Sequence, residues 1–149
     1  MSDVILFLTP KQTVGEFIAD LNSMDKNLLN QIWPSPCIFM VENETNFFEK
    51  YSDAVDFNNI LDSGWKYTKI SWIEDRYESE DISLVRFNLS RFSKQEKELI
   101  NYLVSHLPKM FGNKWKINAL IMVKTSGIFG MSGMSGMSGM SGMSGVAFR

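Results

Sequence analysis

Few side chains in this sequence have the type and spacing to do chemistry. There is one histidine, His106, and one cysteine, Cys37. A nucleophile and its base need a third group to orient the base, and a zinc site needs three or four ligands. One histidine and one cysteine, with no acidic residue beside either, meet neither requirement. Cys37 lies in the apolar run Cys37-Ile38-Phe39-Met40-Val41, where a free thiol behaves as a small hydrophobe. His106 reads as a residue near the end of a helix, where an imidazolium complements the helix dipole. The remaining candidates are carboxylates. Glu74, Asp75, Glu78, Glu80 and Asp81 fall in one acidic stretch. They have no glycine between them, as a calcium loop requires, and such a run is ordinarily a solvated loop. Docking of a basic partner and an enzyme built on this loop are the other readings. No phosphate loop is present, because the only glycines before Gly127 are Gly15, Gly64 and Gly112, far apart. No catalytic residue, metal ligand or cofactor is assigned.

The most regular feature is the run from Gly130 to Gly145, which repeats Gly-Met-Ser and is followed by Val-Ala-Phe-Arg. It places Met131, Met134, Met137, Met140 and Met143 at three-residue spacing, with Phe148 beyond them. Glycine and serine at this density favour an extended, low-complexity chain. Glycine at every third position is also the collagen pattern, but no proline pre-sets the backbone here. Methionine side chains are flexible and polarizable, which suits hydrophobic partner contact. Thioether sulfur is also a soft ligand for Cu(I) or Ag(I), and the spacing resembles the methionine motifs of copper-handling proteins. The run further resembles the Gly-Gly-Met repeat that ends bacterial chaperonin subunits. That likeness covers Gly130 to Gly145 only, is one of composition, and implies no folding activity.

Composition is that of a globular protein, with 44% hydrophobic and 21% charged residues. A length of 149 residues suffices for one core. The expected division is a compact domain over residues 1–126 and a tail over 127–149. The net charge of −2 carries no footprint for nucleic acid. No apolar stretch reaches membrane-helix length, and the short apolar run 4–8 ended by Pro10 is no secretory signal. The chain is therefore expected in the cytoplasm, or in an assembly made there.

The elements follow from periodicity. Residues 4–8 form an apolar run expected to be a buried strand. Thr9-Pro10-Lys11-Gln12 opens a helix as a capping box, with Val14, Phe17, Ile18 and Leu21 as its apolar face. Asp25 caps a shorter helix with Leu28, Leu29, Ile32 and Trp33 on its buried side, and Pro34 and Pro36 stop it. Residues 37–41 form the next strand. Asn43 or Thr45 is expected to cap a helix through Val55, followed by a turn over 57–61. Residues 65–73 and 82–89 read as a hairpin with the acidic stretch as a long loop. Ser93-Lys94-Gln95-Glu96 reads as another capping box, with Leu99, Ile100, Leu103, Val104 and Leu107 on one helical face. A central strand over 114–124 closes the domain.

The resulting fold class is α/β (α+β) with a mixed sheet. Its expected order is β-α-β-α-β-β-α-β, containing a ferredoxin-like split β-α-β-β-α-β portion. RNA-recognition domains share that order, but the strand Leu84-Val85-Arg86-Phe87-Asn88-Leu89 lacks their basic-Gly-aromatic motif. The functional expectation is a non-enzymatic interaction or assembly protein: an α/β docking domain with a contact tail, in a larger viral or phage particle. A protein partner or self-association is expected, without nucleic acid or membrane. The alternatives are a Cu(I) or Ag(I) binding protein and a small enzyme using the acidic loop.

Overall fold

The structure, a computed structural model, describes residues 8–125. Helix α1 (Pro10–Ser23) starts at the expected capping box: Thr9 Oγ1 accepts from the Gln12 N–H, and Gln12 Oε1 accepts from the Thr9 N–H. Its apolar stripe Val14, Phe17, Ile18 and Leu21 is buried. Met24, at φ 57°, turns the chain out of α1. Helix α2 (Lys26–Ile32) follows, with Asp25 accepting from the Leu28 N–H.

Six strands form one sheet: β1 (Cys37–Val41), β2 (Glu44–Phe48), β3 (Trp65–Glu78), β4 (Ser83–Ser93), β5 (Glu98–Phe111) and β6 (Lys114–Lys124). Their order across the sheet is β2-β1-β6-β5-β4-β3. Strands β1 and β6 run parallel and the other neighbours antiparallel, so the sheet is mixed as expected. Short helices α3 (Tyr51–Ala54) and α4 (Phe57–Asp62) lead from β2 into β3. The helices cover one face of the sheet, and the core lies between. The Asn22 side chain pins α1 to β3: its Nδ2 donates to the Thr68 carbonyl at 2.9 Å, and its Oδ1 accepts from the Thr68 N–H at 2.7 Å.

The mixed α+β class holds, but the element order differs from expectation, and with it the ferredoxin-like portion. Two expected helices are strands. The chain after Val41 turns back through Glu42, at φ 58°, to make β2, and only Tyr51–Ala54 of the expected helix is helical. The larger change is β5. Ser93 does what a capping serine does, accepting from the backbone N–H groups of Gln95 and Lys97 at 3.2 Å. Glu96, at φ 65°, turns that start into a hairpin. The residues after it satisfy helical spacing, but they also alternate. Tyr102, Val104, His106 and Pro108 face the core, and Leu99 faces solvent. Pairing with β4 on one side and β6 on the other outweighs a helical preference that only packing would have realised. Pro108 is accommodated at a register shift, where a missing N–H costs the ladder least. Gly112, at φ 66°, with Asn113 makes the β5–β6 turn, a Gly-Asn hairpin signal rather than a helix end.

Strand β6 is interior, as expected. The strand expected over 4–8 and the tail over 127–149 lie outside the described residues, apart from Leu8, which is exposed and in no strand.

Candidate functional site

The helix-facing side of the sheet is lined with rings. Phe39 on β1, Phe87 on β4 and His106 on β5 project from the sheet, and Phe17, Trp33 and Tyr51 meet them from the helical layer. Each has a reason in its element. Phe17 lies on the apolar stripe of α1. Trp33 caps the end of α2, its N–H held by the Leu29 carbonyl, and its indole packs against Phe17, Phe39, Tyr51 and His106. His106 is placed by the alternation Tyr102-Val104-His106 along β5.

The rings pack edge-on. Centroid distances from His106 are 4.8 Å to Phe87, 5.3 Å to Phe17 and 5.3 Å to Trp33, with interplanar angles of 81°, 65° and 85°. Such contacts present positive ring edges to negative faces. They leave two polar atoms without a hydrogen-bond partner among the described residues, Trp33 Nε1 and His106 Nδ1. Both residues are 1% exposed, so water does not compensate from outside. An unpaired buried polar atom costs about 1–3 kcal/mol. Two on adjacent rings are therefore unusual enough to mark a site.

Burial lowers the His106 pKa from 6.5 to about 3, because the surrounding rings offer no anion to balance a charge. The imidazole is neutral, and in the tautomer that carries its proton on Nε2 the unpartnered Nδ1 is an acceptor. Trp33 Nε1–H can only donate. The pair thus presents one acceptor and one donor.

One buried phenol, Tyr51, stands beside this pair, and a second, Tyr102, lies four residues back from His106 along β5. Tyr51 is in ring contact with Phe17, Trp33 and Phe39. Burial raises the phenol pKa of both Tyr51 and Tyr102, and the positive charge of Arg91 opposes that rise in each. Cys37, fully buried, has its thiol pushed up to about 11 by burial and then by the Asp53 charge, so it is an inert thiol, as expected of it.

The residues singled out from the sequence lie elsewhere. Glu74, Asp75 and Glu78 are on the outer half of β3, and Glu80 and Asp81 are in the turn to β4. The expected long charged loop is mostly strand, because Glu74, Asp75 and Glu78 pair with Arg86, Val85 and Ser83. Glu74 accepts from Arg76 at 3.1 Å, in an exposed ion pair. Among the described residues no group of three or more His, Cys, Asp or Glu is placed to hold a metal. Met131, Met134, Met137, Met140, Met143 and Phe148 lie outside the described residues. His106 is not at a helix end, where a charge would be favoured; it is buried on a strand and neutral. Trp33 and His106 were not expected as a pair, and Arg91 was not among the expected site residues. The signal for Arg91 was available in the alternation Val85-Phe87-Leu89-Arg91, which carries a cation along the buried face.

No protein-family model matches the sequence, and no curated protein matches it. Solved structures do match the fold. One is a protein of unknown function with a cystatin-like fold from Nostoc punctiforme, at TM-score 0.62 and 12% identity, over 81% of this chain and 96% of that one. Another is an NTF2-like protein with a cystatin-like fold from Novosphingobium aromaticivorans, at TM-score 0.62 and 10% identity, over 78% and 79%. A third is hexachlorocyclohexane dehydrochlorinase LinA-type3 from Novosphingobium barchaimii LL02, at TM-score 0.60 and 15% identity, over 77% and 83%. At these identities the likeness shows the fold, an NTF2-like, cystatin-like α+β fold.

The expectation of a non-enzymatic docking and assembly protein is corrected by this finding. It rested on the scarcity of chemistry along the sequence. The fold that the sequence forms has an enzyme among its solved neighbours, and its enclosed face holds polar atoms awaiting partners. The Cu(I) or Ag(I) alternative rests on tail residues outside the described ones, and the residues of the acidic-loop alternative lie along β3 and its turn to β4, mostly exposed. As to membranes, no helix of the described residues is long and apolar enough to cross one.

Proposed function

We propose that this chain binds a small, largely apolar molecule bearing one hydroxyl group, in the ring-lined interior between α1, α2 and the sheet. The observation that carries this reading is the adjacent unpartnered pair, Trp33 Nε1 and His106 Nδ1. A hydroxyl matches it, accepting from the indole N–H and donating to the imidazole. The apolar body exchanges ring–ring contacts for ring–ligand contacts of the same kind, so the net gain is the two hydrogen bonds. Each is worth about 1–3 kcal/mol where the alternative is an unsatisfied atom. Binding is favoured over turnover because a His106 with a pKa of about 3 is a weak proton acceptor. Self-association remains an expectation. The outward sheet face, where Trp72, Ile121 and Val123 are exposed, is the surface for it, and light scattering would read one chain mass or two.

The test is a matched pair, phenol against toluene, titrated calorimetrically. Phenol should bind at least about tenfold more tightly, since tenfold corresponds to about 1.4 kcal/mol. Trp33→Phe and His106→Leu should each bring phenol down toward toluene. Equal affinities in the native chain, or no binding of either, would defeat the reading.

A further inference from the structure

Arg91 is the one feature of the interior that hydroxyl recognition leaves unused. It follows Leu89 by two residues on β4 and pairs with Thr68 on β3 and Ile100 on β5. Thr68 is 3% exposed, and Ile100 packs against the core. The guanidinium carbon sits 5.4 Å from the centroid of the Tyr102 ring, itself 3% exposed. A guanidinium over an aromatic face is attracted to the negative face of the ring, which helps hold the side chain in place. Among the described residues Arg91 has no carboxylate in salt-bridge contact, unlike Arg76, which pairs with Glu74. A partly buried cation without a counter-ion is costly to keep. Its charge also reaches the phenols of Tyr51 and Tyr102, which come from the helical layer and from β5 respectively. One permanent cation therefore lies over the ring of one buried phenol, and its charge also reaches a second.

We propose that Arg91, over the ring of Tyr102, is an anion seat that takes the carboxylate of a small monocarboxylic acid whose apolar body lies on the ring-lined interior. The fork matches a planar carboxylate, which can accept two parallel N–H bonds, and a protonated phenol donates to an anion. A singly charged acid fits better than a phosphate. The seat has one cation, and the Glu42 carboxylate also acts on Tyr102, while its Oε2 accepts from the Lys124 N–H at 3.0 Å. The charge of Lys124 already acts on Glu42, so Arg91 is the cation left for the ligand, and it matches one negative charge. This inference rests on the ligand-binding reading and adds the charged end of the ligand to it.

The experiment compares benzoate with benzamide, its neutral isostere, and includes phenol as an uncharged control. In the native chain benzoate should bind at least about tenfold more tightly than benzamide, and the preference should shrink as salt is raised. Arg91→Gln should bring the benzoate-to-benzamide ratio to about one while leaving phenol binding in place, which also shows that the variant is folded. Arg91→Lys, which keeps the charge but loses the fork, should fall between. A native ratio near one, or a ratio that survives Arg91→Gln, overturns the carboxylate seat and leaves hydroxyl binding standing if phenol still binds. No binding of benzoate, benzamide or phenol overturns both.

Discussion

Replacing His106 by leucine, of similar volume, should make the protein more resistant to acid than the native chain. In the folded state His106 takes a proton only near pH 3, whereas in the unfolded chain it does so near its ordinary 6.5. The unfolded state therefore binds more protons as pH falls below 6.5, and the native chain loses stability throughout the window down to about 3. Within that window each pH unit weakens the folding equilibrium about tenfold. Going from about pH 6.5 to about pH 4.5 should cost the native chain about 2 kcal/mol at this one residue, since at the upper end the unfolded imidazole is already half protonated. Other groups titrate over the same range. Asp20, whose carboxyl is raised by burial and by Glu16 and Asp25, works in the opposite direction. The quantity to measure is therefore the difference between native and His106→Leu chains, from urea unfolding at several pH values, in which such shared contributions cancel. That difference should move toward the variant by about 2 kcal/mol over the two units. A difference that does not change with pH would refute a buried, neutral imidazole among the rings, and with it the acceptor role of Nδ1.

Two further outcomes follow from the same geometry. The Cys37 thiol, buried and with its pKa pushed up to about 11, should react with a thiol-disulfide reagent near neutral pH more than about tenfold slower in the folded chain than in urea; equal rates would place the sulfur at the surface. Gly112→Ala should cost about 1–2 kcal/mol in denaturant unfolding, because an added Cβ meets nothing within 4 Å while the φ of +66° remains left-handed; unchanged stability would mean that the β5–β6 turn is not held there.

Much of the local structure was written in the sequence, wherever neighbouring residues suffice to decide it. The Thr9–Gln12 capping box, the Asp25 cap, the stripe of α1 and the apolar run of β1 all form as read. Tertiary structure alone decided the stretch from Ser93 to Phe111. It offers both a capping serine with helical spacing and a two-residue alternation. The choice fell to strand because β4 and β6 supply backbone partners on both sides, and pairing across the sheet is not visible along the chain. The site depended on that choice. As a helix, the segment would place His106 near a terminus, charged and solvated; as β5, it buries the same residue beside Trp33 and makes it neutral. Sequence alone determined that one histidine, one cysteine and the scattered cations were all the chemistry available. Which of them meet, and in which protonation state, was decided by the fold, because burial and convergence from distant elements set both.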